Sequence, residues 1–146
     1  MGMDDTILVG VNDQILFLEG WHERMLDERC GVLYRPTDKE AEFQVFSPGG
    51  DVEVVALISA SVRLCGGVLR GSLLSQGKKL GDFQLDTENW IMRRFPFPNA
   101  PGGWLKLAWV IHNPFVPNDV LKNGDFRMLG LSVASIRVEK NIPKEA

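Results

Sequence analysis

Catalytic raw material is scarce in this sequence. Histidine occurs only as His22 and His112, and cysteine only as Cys30 and Cys65. The four together could supply a tetrahedral zinc set, but no pair has the close spacing that metal ligands on one loop or helix adopt. No transition metal is expected, and no other cofactor. Calcium would need only Asp and backbone oxygens at a sheet edge, and no spacing picks out such a site. No Gly-x-Ser-x-Gly elbow presents a nucleophilic serine. Two thiols in a chain without an export signal are expected to be free.

Phosphate loops and acid–base pairs are no better represented. Five residues separate Gly71 from Gly77, and Lys79 follows Lys78. A P-loop needs four residues between its glycines and a Ser or Thr after the lysine to reach magnesium. Glu19, Glu23 and Asp125 are the loose candidates for paired carboxylates, and each reads more simply as a loop charge. The chain is expected not to be an enzyme.

Positive charge is lacking as well. Lys and Arg number 16 against 19 Asp and Glu, a net charge of -3. Lys78-Lys79 and Arg93-Arg94 are only pairs, and neighbours on a strand point to opposite faces. Without a run of cations to neutralise phosphates, nucleic acid is not an expected partner. The apolar stretch Ile7–Val11 is too short to span a bilayer. The first residues carry no positive signal-peptide region. No membrane contact is expected, and the location expected by default is cytoplasmic.

What the sequence does contain is strand signal. Its 146 residues, 45% hydrophobic and 24% charged, suit one globular domain over 1–146 with a core of its own. Short apolar runs of period two recur between Gly, Pro, Asn and Asp clusters. Ala41, Phe43 and Val45 share one face of Ala41–Phe46. Val52, Val54, Ala56, Ile58, Ala60 and Val62 share one face of Val52–Val62. Leu105, Leu107, Trp109 and Ile111 do so in Trp104–His112. Further strands are predicted at Ile15–Glu19, Gly31–Arg35, Val68–Leu74, Leu80–Leu85, Trp90–Phe97 and Met128–Glu139. In the last of these the apolar phase moves from odd to even positions, which predicts a β-bulge near Ala134-Ser135.

Ser75-Gln76-Gly77-Lys78 predicts a hairpin turn, and Ser47–Asp51 and Asn99–Gly103 predict two more turns. Trp21–Arg29, rich in charge, reads as a solvated turn of helix or a loop, and Asn113–Gly124 reads as a long loop. Eight or nine strands without βαβ alternation predict an all-β, antiparallel two-sheet sandwich of jelly-roll type.

Two clusters rise above this background. One is Gly20-Trp21-His22-Glu23 with the strand Tyr34-Arg35-Pro36-Thr37. The other is Gly124–Leu131, where Asp125 and Arg127 point the same way on an extended chain. Two readings stay open. Trp21 and Tyr34 could plug one end of the sandwich, with Asp125 and Arg127 bonded to loop backbone or to Arg35 and Glu23, pinning the sheet ends. Alternatively the set is a sugar site, since carbohydrates are met by aromatic platforms beside polar side chains. Trp21, His22, Tyr34, Arg35, Asp125 and Arg127 are then the ligand-binding residues, with Trp90 and Trp104 of the same type.

The order of these motifs also resembles a known class. Gly20-Trp21, Tyr34-Arg35-Pro36-Thr37, Leu80–Leu85 and Asp-x-Arg-x-Leu-Gly-Leu-x-Val-x-x-Ile-Arg-Val over 125–138 are similar to small β-sandwich domains fused to, or encoded beside, bacterial glycosyltransferases and cell-surface polysaccharide assembly proteins. The likeness covers Leu18 to Val138. It departs where an Arg-Trp pair often stands and this chain has Tyr34-Arg35. The resemblance implies a jelly-roll, non-catalytic accessory domain that binds a carbohydrate or polysaccharide intermediate, with a glycosyltransferase as partner. A structural domain that oligomerises through a sheet face is the alternative, because Ile15–Leu18 and Trp104–Ile111 are apolar on both faces.

Overall fold

The computed structural model describes residues 7–8 and 19–140. Its strands are β1 (Ile7–Leu8), β2 (Met25–Asp27), β3 (Val32–Pro36), β4 (Glu40–Ser59), β5 (Leu69–Ser75), β6 (Lys78–Leu85), β7 (Ile91–Ile111) and β8 (Ser132–Lys140). A short helix, α1 (Pro117–Leu121), and a 3-10 turn at Val62–Leu64 complete it. All pairings are antiparallel, in the order β2-β3-β8-β4-β7-β5-β6, with β1 also on β8. No helix among the described residues is long and apolar enough to cross a membrane.

Two long strands make the sandwich. β4 and β7 pair from Glu40↔Val110 to Ile58↔Ile91. The segments read from sequence as turns, Ser47–Asp51 and Asn99–Gly103, are instead a corner that both strands round while still paired. Gly49 and Gly50, at φ +85° and +84°, supply conformations that L side chains rarely adopt. The Asp51 carboxylate accepts the Asn99 N–H at 2.9 Å, and Ser47 Oγ accepts that of Gly49 at 3.0 Å. Before the corner, β4 and the end of β7 form one layer, which β5 and β6 extend. Past it, β4 and the start of β7 form the other, which β8, β3 and β2 extend.

The alternation that predicts the strands also builds the core. Ala41, Phe43 and Val45 face Val52, Val54, Ala56 and Ile58 across the fold, all buried. Trp109 is fully buried at its centre, with ring centroids of Phe43, Phe83 and Phe95 at 5.9, 5.7 and 5.6 Å. These rings come from β4, β6 and both layers of β7, so one aromatic cluster joins the sheets.

Other predictions meet the structure in detail. Gln76-Gly77 forms a two-residue loop with positive φ at both positions, the hairpin geometry that matches strand twist. In β8 Leu57 opposes Ser135 but Ile58 opposes Val133, so Ala134 is the extra residue of a bulge. Of the two readings of Trp21–Arg29, a turn of helix or a loop, the helix does not form. Trp21 bridges Thr37, Met25–Asp27 is β2, and only a turn follows. Charge in that segment flanks a short edge strand and its turn, not a helix face. Asn113–Gly124, read as loop, contains α1, started by Pro117 at its first turn. The predicted strand Ile15–Glu19 falls outside the described residues except at Glu19.

Thr37 fixes one end of the fold. Fully buried, it donates its N–H to Leu131 O at 2.7 Å and accepts Gly130 N–H at 2.8 Å. Its Oγ1 accepts the Leu131 N–H at 2.9 Å. Gly130 must be small here, since a Cβ would lie 2.7 Å from Ile111 Cγ1 and 2.9 Å from Thr37 Oγ1. A Cβ on Gly20 would run into the Glu40 carbonyl. Thr37→Val keeps the shape and orphans a buried N–H, so it should cost about 1–3 kcal/mol in urea denaturation. Gly20→Ala should cost more, because backbone must move; equal stability to the parent would refute this packing account.

Candidate functional site

The Thr37 clamp brings most of the sequence-chosen residues to one end of the sandwich. His22 N–H donates to Pro36 O at 2.9 Å, and its Nε2 donates to Met128 O at 2.8 Å. Arg35 Nη1 donates to His22 O at 3.1 Å. Arg127 holds Asp125 with two bonds, Nε to Oδ1 at 2.9 Å and Nη2 to Oδ2 at 2.7 Å. Asp125 and Arg127 thus pair with each other, and Asp125 Oδ1 also accepts the Arg127 backbone N–H at 3.1 Å, one of the loop-backbone bonds expected of the pair. Two residues apart in a local turn, they meet at less entropic cost than distant partners. Phe126 between them points away and is 73% exposed.

Trp21 departs from the platform reading. Its ring packs edge-on against buried Phe43 at 6.2 Å, and its Nε1 donates to Glu42 O at 2.7 Å. It is a plug of the core's end. Tyr34 does line an opening, half-buried, with its ring 5.4 Å from Trp90. Burial pushes its hydroxyl pKa upward, so it stays a neutral donor at neutral pH.

Beside this aromatic pair lies a cleft of about 470 Å³, lined by Asp27, Arg29, Tyr34, Arg63, Glu88 and Trp90 among others. Arg29 grips Asp27 as Arg127 grips Asp125, with Nε–Oδ1 at 3.0 Å and Nη2–Oδ2 at 2.9 Å. Trp90 Nε1 adds a bond to Asp27 Oδ2 at 2.8 Å. The Glu88 carbonyl accepts from both Arg29 Nη2 and Ser59 Oγ at 2.9 Å, and its carboxylate lies 3.4 Å from Arg63 Nε. β2, the 3-10 turn and the loop before β7 thus meet through charge-assisted bonds.

Asp27, Arg29, Arg63 and Glu88 were not singled out by sequence. A signal existed: Asp27-x-Arg29 repeats the spacing of Asp125-x-Arg127, but the helix-or-loop reading of Trp21–Arg29 hid it. The thiols and histidines do not converge. Cys30 is exposed and Cys65 half-buried, both free. Cys65 packs on the core, where burial raises its pKa. His112 Nε2 lies 3.0 Å from Ser72 Oγ, which donates to Asp82. Among the described residues no three His, Cys, Asp or Glu groups are placed to hold a metal ion.

The two Asp-x-Arg pairs carry a pH dependence. Hydrogen bonds from Arg127 hold the Asp125 carboxyl at about 2, below its ordinary 3.8. Arg29, then the Trp90 N–H, hold Asp27 lower still. A folded-state pKa below the unfolded one gives stability that is present above the unfolded value and lost as pH falls through the folded one. Urea midpoints should therefore drop as pH is lowered from about 3.8 to about 2, with Asp27 extending the loss further down. Asp125→Asn should shrink that drop; an unchanged acid limb would contradict the pairing.

The sequence matches no family model and no curated protein. The fold does match solved structures. A family 35 carbohydrate-binding module from Clostridium thermocellum aligns with TM-score 0.58 and 13% identity, covering 93% of this chain and 98% of that one. A family 35 module from an environmental isolate aligns with TM-score 0.55 and 13% identity, covering 90% and 98%. A ruminal GH26 endo-β-1,4-mannanase aligns with TM-score 0.50 and 14% identity over 99% of this chain but 27% of its own. None of these three is a glycosyltransferase or a polysaccharide-assembly protein. At such identities the likeness concerns the fold alone, and that fold is the antiparallel jelly roll of carbohydrate-binding modules.

Proposed function

We propose that this chain is a non-catalytic glycan-binding module whose sugar site is the cleft beside Tyr34 and Trp90. The observation that carries the reading is that aromatic pair, set 5.4 Å apart on the wall of a polar cleft of about 470 Å³. Aromatic faces take the C–H side of a sugar ring, and fixed donors and acceptors take its hydroxyls. The fold likeness to carbohydrate-binding modules supports the same reading.

One carboxylate of the cleft is unsuited to hydrolysis: Asp27 stays anionic because Arg29 and Trp90 bond to it. A general acid for glycoside cleavage must instead hold a proton near working pH. His22, Asp125 and Arg127 do not line this cleft, and of the ligand-binding residues chosen from sequence Tyr34 is the one that does. Service to a glycosyltransferase or a polysaccharide-assembly protein, in the cytoplasm, is the finer setting and rests on the sequence motifs.

Affinity electrophoresis and calorimetry against soluble xylan, galactomannan, arabinogalactan and polygalacturonate test this. Binding to at least one is expected, weakened about tenfold or more by Tyr34→Ala or by Trp90→Ala. Melting curves check that the variants remain folded. Binding to none of the four, or undiminished binding by both variants, overturns the proposal.

A further inference from the structure

Trp104, which the sequence grouped with the sugar-type aromatics, is nowhere near that cleft. Trp90 precedes the first residue of β7, whereas Trp104 lies beyond the corner on the other layer. It is 60% exposed. Phe46, its partner in register across β4, is 43% exposed, and their rings meet edge to face at 5.7 Å. Two large rings held side by side in water carry a desolvation gain not used by the core.

The pairing register shows what adjoins them. On the same face, successive rows set Gln44 beside Lys106, then Glu42 beside Ala108 and Leu74, then Glu40 beside Val110 and Ser72. A groove of about 350 Å³ runs here, floored by Leu74, Ala108 and Val110 and edged by Glu42, Gln76 and Lys106. A second depression of about 360 Å³ continues it past Ser72 to Asp82, Arg70 and His112. From Trp104 to His112 the face extends roughly 27 Å at the usual rise of an antiparallel strand.

We infer that this outer face of the β4–β7–β5–β6 layer is a second glycan-binding surface, which takes an extended polysaccharide chain laid along β7 from Trp104. The inference rests on the proposed glycan-binding role and adds a second site to it. An aromatic platform at one end, a narrow apolar floor and a polar edge are the chemistry of a sugar chain, whose rings present C–H faces and hydroxyls together.

Other occupants fit the face less well. Its charges are of both signs and close together: Lys106 lies 2.8 Å from Glu42, and Lys79 3.0 Å from Asp82. Such a face offers no net field to phosphates. Packing a second copy here would bury those ion pairs, and interface centres are depleted of charge because desolvation costs more than pairing returns. A neutral chain of hydroxyls can bond to these groups while leaving them paired and wet.

A surface on each layer lets one long glycan, or two neighbouring ones, engage the module twice, so polymer binding gains avidity that short oligosaccharides do not. The test compares the parent, Tyr34→Ala, Trp104→Ala and the double variant on whichever of the four polysaccharides the parent binds, and on its trisaccharide. Trp104 is mostly exposed, so its substitution leaves the fold intact, and melting curves verify that. Trp104→Ala should weaken polymer binding about tenfold or more, leave trisaccharide binding in the cleft unchanged, and compound with Tyr34→Ala. Unchanged polymer binding by Trp104→Ala, with loss in Tyr34→Ala, overturns the second surface and spares the cleft. Sedimentation showing that Trp104→Ala converts a dimer to a monomer while polymer binding holds assigns the face to a second copy and overturns the inference. A parent that binds none of the four overturns both proposals.

Discussion

Buried Thr37 is the point on which this end of the molecule depends. Three backbone segments that are distant in sequence meet there: Gly20-Trp21, the end of β3, and Leu129–Leu131 entering β8. Each brings N–H and C=O groups that burial would penalise if left unpaired. One threonine accepts the N–H groups of Gly130 and Leu131 and donates its own to the Leu131 carbonyl, while its neighbours Pro36 and Asp38 bond to His22 and Gly20. The exchange leaves no room for a side chain on Gly130. Two glycines and a threonine are therefore dictated by close approach, and the loops that carry His22, Asp125 and Arg127, with Arg35 at the end of β3, hang from that approach.

The corner in β4 and β7 is the second constraint. Because the two strands stay paired while bending, each belongs to both layers, and their aromatic residues are divided between environments. Trp109 and Phe43 fall inside. Trp90 falls at the far end of the second layer, beside Tyr34. Trp104 and Phe46 fall just past the bend on the outside of the first. A sharp turn at Ser47–Asp51 would instead have made two separate strands and a free edge, which sheets must otherwise protect.

This division explains how far the sequence could be read. Period-two alternation identifies which face of each strand is inward, because burial on one side leaves a signal in every second residue. It made Phe43, Val54, Leu107 and Trp109 legible as core, and the odd-to-even change in β8 legible as the bulge at Ala134. It could not distinguish a bend from a turn, since glycine and proline serve both, and only the partner strand decides. Nor could it find β2, a three-residue edge strand too short for a period and flanked by charged residues. The candidate site was legible in type but not in grouping. Trp21, Trp90 and Trp104 are alike in sequence, and their fates follow from long-range pairing that no local pattern encodes.

The recurrence of Asp-x-Arg joins these threads. In each instance the aspartate Oδ1 accepts the arginine's own backbone N–H at 3.1 Å, a local turn, and the guanidinium closes on the carboxylate with two further bonds. The pair is locally complete, so it needs no distant partner to be stable at the rim of a cleft. It is also not exhausted. A guanidinium has five N–H groups. Arg29 commits three of them, two to Asp27 and one to the Glu88 carbonyl, leaving two with no partner among the described residues. Those donors are fixed in direction by the bonds already made, so a ligand hydroxyl that meets them does not have to order a mobile side chain. Preorganised donors of this kind give affinity mainly by sparing that ordering cost. The same bonds that keep Asp27 anionic thus suit the cleft to the binding role proposed for it.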